Sequence, residues 1–213
     1  MRKITFDIET RDLFQDVGSN DPAALTISVV CIHDSAADDG TGKAPAEAGS
    51  GYSSYLVEDL PKLWPIMEQA DMLITFNGDH FDIPLLNKYY TGDLTKVKSL
   101  DLMAEVKKSL GRRIKLDTLA EATLGRNKSG HGLEAIAWWK SGEIDKIIKY
   151  CLEDVKITKE LYEYALKNKH LKYKDLGAIV VPGKPNANIR DIKLDTTHWE
   201  TKSDHAMTFT LPF

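Results

Sequence analysis

The sequence has few of the residues on which disulfide-rich or zinc-stabilised domains depend. Among its 213 residues only Cys31 and Cys151 are cysteines, too few for a disulfide framework or a zinc site. Cys151 is most simply interpreted as a small core residue. No apolar run reaches the length of a membrane span, and the first residues lack the apolar segment of a signal peptide. We therefore expect a protein of the reducing cytoplasm that does not enter a membrane.

The chain also lacks the low hydrophobicity of disordered proteins. Hydrophobic residues make up 42% of it, and four tryptophans are present, which allows a buried core. Apolar patterns predict strands at Lys3–Glu9, Leu25–His33, Gly51–Val57, Met72–Phe76 and Lys98–Asp101. They predict helices at Asp59–Ala70, Asp82–Tyr90, Leu102–Leu110, Leu116–Leu124, Gly132–Trp139 and Glu143–Asn168. Three successive strands, followed by two that alternate with helices, predict an α/β fold with a mixed five-stranded sheet flanked by helices.

Charge is unevenly distributed along the chain, although the net charge is only −4. Residues 1–101 hold 8 Lys and Arg against 17 Asp and Glu, whereas residues 102–213 hold 20 against 15. A negative net charge by itself argues against a nucleic-acid partner. The second half nevertheless has a basic stretch that consists of Lys107, Lys108, Arg112, Arg113, Lys115, Arg126 and Lys128. This stretch suits phosphate binding, and it suits an ordinary solvated helix face equally well.

The first predicted strand carries two acidic residues. Ile4, Phe6 and Ile8 alternate with polar residues, which is the period of a strand. Two of those polar residues, Asp7 and Glu9, therefore leave the same face. Adjacent carboxylates repel each other unless a cation lies between them, and a hard ion such as Mg²⁺ prefers oxygen ligands. An isolated Asp-x-Glu is more often only the solvated face of a strand.

Asp82 follows a strand and a turn, at the beginning of a predicted helix. The turn residues are Asn77-Gly78-Asp79, and Pro84 is tolerated in the first helical turn. An acid at this position is also favoured by the helix dipole alone.

Tyr150 and Asp154 lie four residues apart in the last predicted helix, so they share one helix face. The phenol is placed to orient a water near a metal that the carboxylate binds. Taken singly, such a pair is usually a half-buried tyrosine and a solvated acid. In this order along the chain, however, the acidic residues suit a two-metal phosphodiesterase site.

Three motifs resemble those of the DEDD superfamily of 3′–5′ exonucleases, which has a ribonuclease-H-like fold; they are F-D-I-E-T, F-N-G-D-H-F-D-I-P-L-L and Y-C-L-E-D. Tyr150 resembles the tyrosine of the DEDDy branch, because the histidine branch would need a histidine where Lys149 stands. The closest likeness is to the proofreading exonuclease domain of family-B DNA polymerases and its stand-alone relatives. It covers about residues 1–168 and includes Lys115–Ala120, Leu124–Gly125, Lys128 and Tyr150–Leu161.

This resemblance implies a site with two Mg²⁺ or Mn²⁺ ions. Asp7 would bridge both ions, Glu9 and Asp154 would complete the first site, and Asp82 would hold the second. Tyr150 would orient the attacking water. The reaction would release nucleoside 5′-monophosphates from nucleic acid 3′ ends.

The resemblance also implies a substrate with a free 3′ end, with single-stranded DNA favoured. Its contacts would come from Asn77, Phe81, Lys115 and Lys128. For Asn77, the formation of a turn is an equally simple explanation. Trp138 and Trp139 could stack on bases, but adjacent aromatic residues on a helix more often place one ring in the core.

Two other functions fit the same residues. One is a ribonuclease-H-like structure-specific endonuclease with the same carboxylates. The other is a non-catalytic nucleic-acid-binding module, which the complete acidic motifs disfavour because unneutralised carboxylates would repel phosphate.

Two segments have no counterpart in the resemblance. Within His33–Ser53, small and polar residues predict an expanded loop at Ser35–Gly49 between two strands. Residues 1–176 are predicted to form the ribonuclease-H-like exonuclease domain, and residues 177–213 a C-terminal extension that packs on it as a hairpin or an extended arm.

Overall fold

A mixed five-stranded sheet lies at the centre of the structure, a computed structural model that describes residues 1–45, 47–126, 132–175 and 188–201. Its strands are β1 (Lys3–Thr10), β2 (Ile27–Asp38), β3 (Ser50–Leu56), β4 (Met72–Thr75) and β5 (Ser99–Asp101). Their order across the sheet is β3-β2-β1-β4-β5, so β1 is central. β1, β2 and β3 pair antiparallel, and β4 and β5 continue the sheet in parallel. The predicted mixed five-stranded sheet is confirmed.

Seven α-helices lie in the described part of the chain: α1 (Phe14–Val17), α2 (Leu60–Glu68), α3 (Asp82–Asn87), α4 (Leu102–Leu110), α5 (Leu116–Leu124), α6 (Gly132–Lys140) and α7 (Ile144–Asn168). α4 and α5 have the predicted bounds. Each ends before a glycine in the left-handed region, Gly111 at φ 79° and Gly125 at φ 69°, a conformation that glycine adopts without strain. None of the described helices is both long enough and apolar enough to span a membrane.

Different helices cover the two faces of the sheet. Ile4, Phe6 and Ile8 of β1 pack in an apolar cluster with residues of α2 and α3. On the opposite face, Val29 and Cys31 of β2 pack against residues of α6 and α7. Because side chains alternate between the two faces along β1, its polar residues, including Asp7 and Glu9, face α7.

The connection between β2 and β3 is shorter than the sequence predicts. Asp38 pairs with Ser50 of β3, and its Oδ2 lies 2.9 Å from Nε2 of the buried His33. The hydroxyl of Ser35 accepts the backbone N–H of Lys3 at 2.8 Å. Residues 35–38 thus belong to β2, and the prediction of a loop beginning at Ser35 is wrong for them. The pairing of Asp38 with Ser50 and the hydrogen bond from Lys3 to Ser35 hold this stretch as strand.

A second, two-stranded sheet follows α7. β6 (His170–Lys174) pairs antiparallel with β7 (Ile189–Lys193). Trp199 is fully buried, and its ring stacks on Tyr162 of α7 with the centroids 5.7 Å apart. β6 precedes the predicted boundary at residue 177, which stays a prediction. Residues 177–187 and 202–213 of the predicted extension lie outside the described residues.

Candidate metal centre

Three carboxylates meet where β1 passes beside α7. Asp7 and Glu9 lie on the face of β1 that α7 covers. Asp154 lies on α7, one helical turn after Tyr150. One carboxylate oxygen of each residue lies within 4.8 Å of those of the other two. Asp154 is buried, whereas Asp7 and Glu9 are half-buried. The structure thus brings together three of the four carboxylates that the sequence singled out.

The thiol of Cys151 contacts Asp7 from α7. Its Sγ lies 3.4 Å from the carbonyl oxygen of Asp7 and 3.6 Å from Asp7 Oδ2. Burial raises the pKa of the Cys151 thiol well above its ordinary value, and the neighbouring Cys31 and Asp7 raise it further. The thiol therefore stays protonated and donates to Asp7. Cys151 is a core residue, as interpreted, and it also fixes the position of an acidic side chain of the site.

The fourth carboxylate, Asp82, approaches β1 from the first turn of α3. The pairing of β1 with β4 stops at Thr5 and Ile74, so the later N–H groups on that edge have no strand partner there. Asp82 Oδ1 accepts one of them, from Ile8, at 3.1 Å. Asp82 is therefore bonded to the backbone between the two acidic residues of β1, but it is outside the three-carboxylate group.

Burial raises the pKa of the Asp82 carboxyl above its ordinary value, and the carboxylates of Asp101 and Asp154 raise it further. A neighbouring cation would favour the ionised form instead. The donors at this site are carboxylate oxygens, which are the ligands that Mg²⁺ and Mn²⁺ prefer. The residues present therefore fit a hard divalent cation.

Tyr150 lies one helical turn before Asp154 and is buried. Its ring meets that of Trp138 on α6 edge to face, with the centroids 5.9 Å apart. Burial and this aromatic contact limit the movement of the ring. One of the two adjacent tryptophans thus packs against the candidate site.

Comparisons with known proteins identify the superfamily of the chain. The family model described as the RNase_H superfamily matches residues 4–166. The chain belongs to the RNase_H superfamily. It is 31% identical to a DNA polymerase of Thermococcus aggregans, over a stretch that covers 44% of this chain and 7% of that polymerase.

A solved structure shares the fold. It is the family B DNA polymerase of the hyperthermophilic archaeon Pyrobaculum calidifontis, with a TM-score of 0.55 and 18% sequence identity. The match covers 78% of this chain and 24% of that one. The chain therefore spans a small part of the length of either polymerase. The predicted resemblance to a ribonuclease-H-like domain of family-B polymerases is confirmed.

In this member of the RNase_H superfamily, a tight turn precedes Asp82. Asn77 has a φ of 73°, and a Cβ on Gly78 would lie 2.4 Å from the side chain of Thr75. Asp101, at the end of β5, accepts the backbone N–H groups of Asn77 at 2.8 Å and Asp79 at 3.3 Å. Asn77 thus has the turn-forming role that was its alternative interpretation, and a contact with substrate stays a prediction.

The other predicted substrate contacts are dispersed. Phe81 is half-buried and packs edge to face on Phe14, with the centroids 6.1 Å apart. Lys115 is exposed and immediately precedes α5. Lys128 lies outside the described residues. Arg126, also of the basic stretch, pairs with two acidic residues of α7 at 2.8 and 3.5 Å, so its charge is partly neutralised.

Arg11 was not among the residues predicted for the site, although it lies near the acidic group in sequence. Arg11 follows Glu9 by two residues, and its guanidinium lies over the ring of Trp139, with Cζ 4.2 Å from the ring centroid. β1 ends at Thr10, and its pairing with β2 changes register between Glu9 and Thr10, so the alternation along the strand could not predict where Arg11 lies.

Proposed function

We propose that the chain is a metal-dependent 3′–5′ exonuclease that releases nucleoside 5′-monophosphates. The gathering of Asp7, Glu9 and Asp154 within 4.8 Å, in a chain of the RNase_H superfamily, is the observation that carries this proposal. Asp82 and Tyr150 adjoin the group in the order typical of the tyrosine branch of DEDD exonucleases. Membership of the superfamily supports a nuclease, and the polarity of cleavage is proposed from the motifs.

The carboxylates would divide the work of metal binding. Asp7, Glu9 and Asp154 would hold Mg²⁺ or Mn²⁺, and Asp82 would contribute to a second ion. Such ions activate water and stabilise the negative charge that develops in phosphodiester cleavage. Tyr150 would orient the attacking water through a hydrogen bond, because a phenol is a poor base at neutral pH.

The proposed substrate is a nucleic acid with a free 3′ end, with single-stranded DNA favoured. Two DNA polymerases are among the proteins that the chain resembles, which supports DNA over RNA. Asn77 and Phe81 lie in the segment that leads to Asp82, and they are the proposed contacts of the terminal nucleotide. The exposed side chain of Lys115 is a proposed contact of the substrate backbone, and Lys128 is a second one.

Cleavage of end-labelled oligonucleotides tests this function. DNA and RNA oligonucleotides labelled at the 5′ end should give a ladder that shortens with time in Mg²⁺ or Mn²⁺, and 3′-labelled ones should release the label as a mononucleotide. The Asp7→Asn variant is the control for a contaminating nuclease. A circular single strand should stay intact. Cleavage of the circle would show that the protein is an endonuclease and not an exonuclease. Binding without any cleavage would favour a non-catalytic nucleic-acid-binding module.

A further inference from the structure

Arg11 follows the last residue of β1 and lies close to the acidic residues of that strand. Two residues of extended chain span at most about 7 Å, which bounds the distance between the Cα atoms of Glu9 and Arg11. Asp7 and Glu9 face α7, and Arg11 contacts Trp139 of α6, the helix that packs beside α7. A phosphodiester chain that passes the three carboxylates would therefore pass Arg11 as well.

The guanidinium of Arg11 has no carboxylate partner among the described residues. Its Nε is buried and meets no hydrogen-bond acceptor in that part of the chain. Two other cations at the opposite end of β1 are neutralised: Arg2 pairs with Asp34 at 2.6 Å, and Lys3, which also lies over an aromatic ring, pairs with Glu200 at 2.9 Å. A half-buried guanidinium without a carboxylate partner can bind a negatively charged group of a ligand through its terminal N–H donors.

The contact with Trp139 orients the guanidinium. When the face of this planar group rests on an aromatic ring, its N–H donors point outward in the plane of the group. Two parallel N–H donors match two oxygens of a phosphate, which is the strongest form of phosphate recognition by a side chain. Trp139 thereby acts as a positioning residue.

We propose that Arg11 binds the substrate phosphate on the 5′ side of the scissile phosphate. This inference rests on the proposed function, in which the released nucleotide carries the free 3′ hydroxyl. The neighbouring phosphate then lies on the 5′ side of the bond that is cut. Arg11 is the positive counterpart of the acidic group: the carboxylates hold cations at the scissile phosphate, and the guanidinium holds the next phosphate of the strand.

Binding measured without divalent cations tests the contact separately from cleavage. The probe is a short fluorescein-labelled single-stranded DNA, titrated at several KCl concentrations. Arg11→Met keeps an unbranched side chain over Trp139 but removes one charge, so the slope of log affinity against log salt should become shallower by about 0.7, the value for one phosphate contact in single strands. Lys62→Met removes one charge from an exposed position on α2, the helix on the opposite face, and should leave the slope unchanged.

Single-turnover cleavage in Mg²⁺ gives a second readout. Arg11→Met should raise the DNA concentration for half-maximal rate roughly tenfold to a hundredfold, the range for a lost hydrogen bond to a charged group. The maximal rate should change much less, because Arg11 does not touch the scissile phosphate. Arg11→Lys should keep most of the salt dependence but lose affinity, because an ammonium lacks the paired donors. Trp139→Phe should resemble Arg11→Lys, and thermal unfolding of each variant verifies its fold.

The possible results separate this inference from the proposed function. If wild-type protein cleaves and folded Arg11→Met keeps the salt slope and the half-saturating concentration, Arg11 is a structural residue and the inference is overturned. If wild-type protein binds DNA but does not cleave it, the proposed function fails. The salt slope of Arg11→Met then still shows whether Arg11 contacts a phosphate. Loss of affinity in Lys62→Met equal to that in Arg11→Met would also overturn the inference, since net charge alone would explain both.

Discussion

Tyr150 and Asp154 lie one helical turn apart on α7, which places a phenol and a carboxylate on the same helix face. The phenol is held by Trp138, and the carboxylate points into the acidic group on β1. Both residues are buried, so neither side chain has much freedom to move. Their orientation is therefore set by the packing of α6 and α7 before any substrate binds.

Replacement of Tyr150 with phenylalanine should slow the chemical step and leave the fold intact. The ring can keep its contact with Trp138, while the hydroxyl that would orient the attacking water is lost. We expect a single-turnover rate that is about tenfold to a thousandfold lower, with an unchanged affinity for DNA. Asp154→Asn should cost more, because a cation ligand is removed. An unchanged single-turnover rate in Tyr150→Phe would exclude the tyrosine from the mechanism.

Asp7→Asn should affect stability in opposite ways without and with metal. In metal-free protein the change relieves repulsion among three carboxylates, so the melting temperature should rise by about 1 to 4 °C. Saturating Mg²⁺ should raise the melting temperature of wild-type protein, because a ligand that binds only the folded state stabilises it. The variant should respond less. Calorimetry of both proteins checks this, and a wild-type melting temperature that ignores Mg²⁺ would contradict the proposed cation site.

At the scale of elements, Asp101 joins the end of β5 to two other segments. Its carboxylate accepts the N–H groups of Met103 and Ala104 at 2.9 and 3.2 Å, at the beginning of α4. It also accepts the N–H groups of the turn that leads to Asp82, as described above. One buried side chain thus caps a helix and fixes the approach to a carboxylate of the site.

Asp101→Ala should therefore destabilise the protein by about 2 to 4 kcal/mol. This figure combines the loss of a helix cap with the burial of unsatisfied backbone donors. Asp93→Ala is a matched control, since Asp93 caps a short 3-10 turn through Thr95 at a more exposed position. The control should cost no more than about 1 kcal/mol. Chemical denaturation measures both free energies of unfolding, and equal losses would show that Asp101 has no role beyond a single cap.

The connection from residue 39 to residue 49 should tolerate shortening. Asp39 N–H already donates to the carbonyl of Gly49 at 2.9 Å, so the ends of this connection lie side by side. Closing a shorter loop changes the entropy cost only slightly. A variant with fewer residues between these ends should keep its melting temperature and cleavage rate.

The shortened variant should be compared with a second variant that lacks Ser35–Gly49, which is the whole loop predicted from the sequence. This second deletion would also remove the pairing of Asp38 with Ser50 and the bond between Ser35 and Lys3, so the melting temperature should fall. If both deletions lowered stability equally, the connection itself would be structural.

Local patterns predicted the elements well where a cap or a glycine marks their ends. Asp101 and Gly111 delimit α4, and both signals are readable in the sequence. The end of β2 could not be predicted, because residues 35–38 are small or polar and are held as strand by residues distant in sequence, through the contacts of Ser35 with Lys3 and of Asp38 with Ser50. The residues of the candidate site were likewise predictable where a local sequence pattern marks them. Spacing placed Asp7 with Glu9, whereas the contacts of Arg11 with Trp139 and of Cys151 with Asp7 join distant segments and have no local signal.

At the scale of the whole molecule, the residues after α7 pack on the same helix that carries Asp154. Trp199 donates to Glu105 of α4 at 3.2 Å and stacks on Tyr162 of α7. Lys98, just before β5, donates to the carbonyl oxygens of His198 and Trp199 at 2.8 and 2.9 Å. The described part of the C-terminal segment is thus bound to helices and to the parallel edge of the sheet.

The uneven distribution of charge along the sequence can also be related to the structure of the whole molecule. The acidic first half supplies Asp7, Glu9 and Asp82, and the second half supplies Asp154 with most of the lysines and arginines. Within the basic stretch, Lys107, Lys108, Arg112, Arg113 and Lys115 are exposed. These side chains are exposed to solvent, so the net charge of −4 conceals a locally positive part of the protein surface.

Metal dependence of cleavage is the most direct test of the account. Wild-type protein should lose cleavage of a 5′-labelled single-stranded DNA when EDTA is added, and Mg²⁺ or Mn²⁺ in excess should restore it. Asp7→Asn should be at least about a hundredfold slower under the restored conditions. Asp71→Asn, at the opposite end of β1, should match wild type. Cleavage that persists in EDTA, or that Asp7→Asn retains in full, would contradict the assignment of this acidic group as a metal-dependent nuclease site.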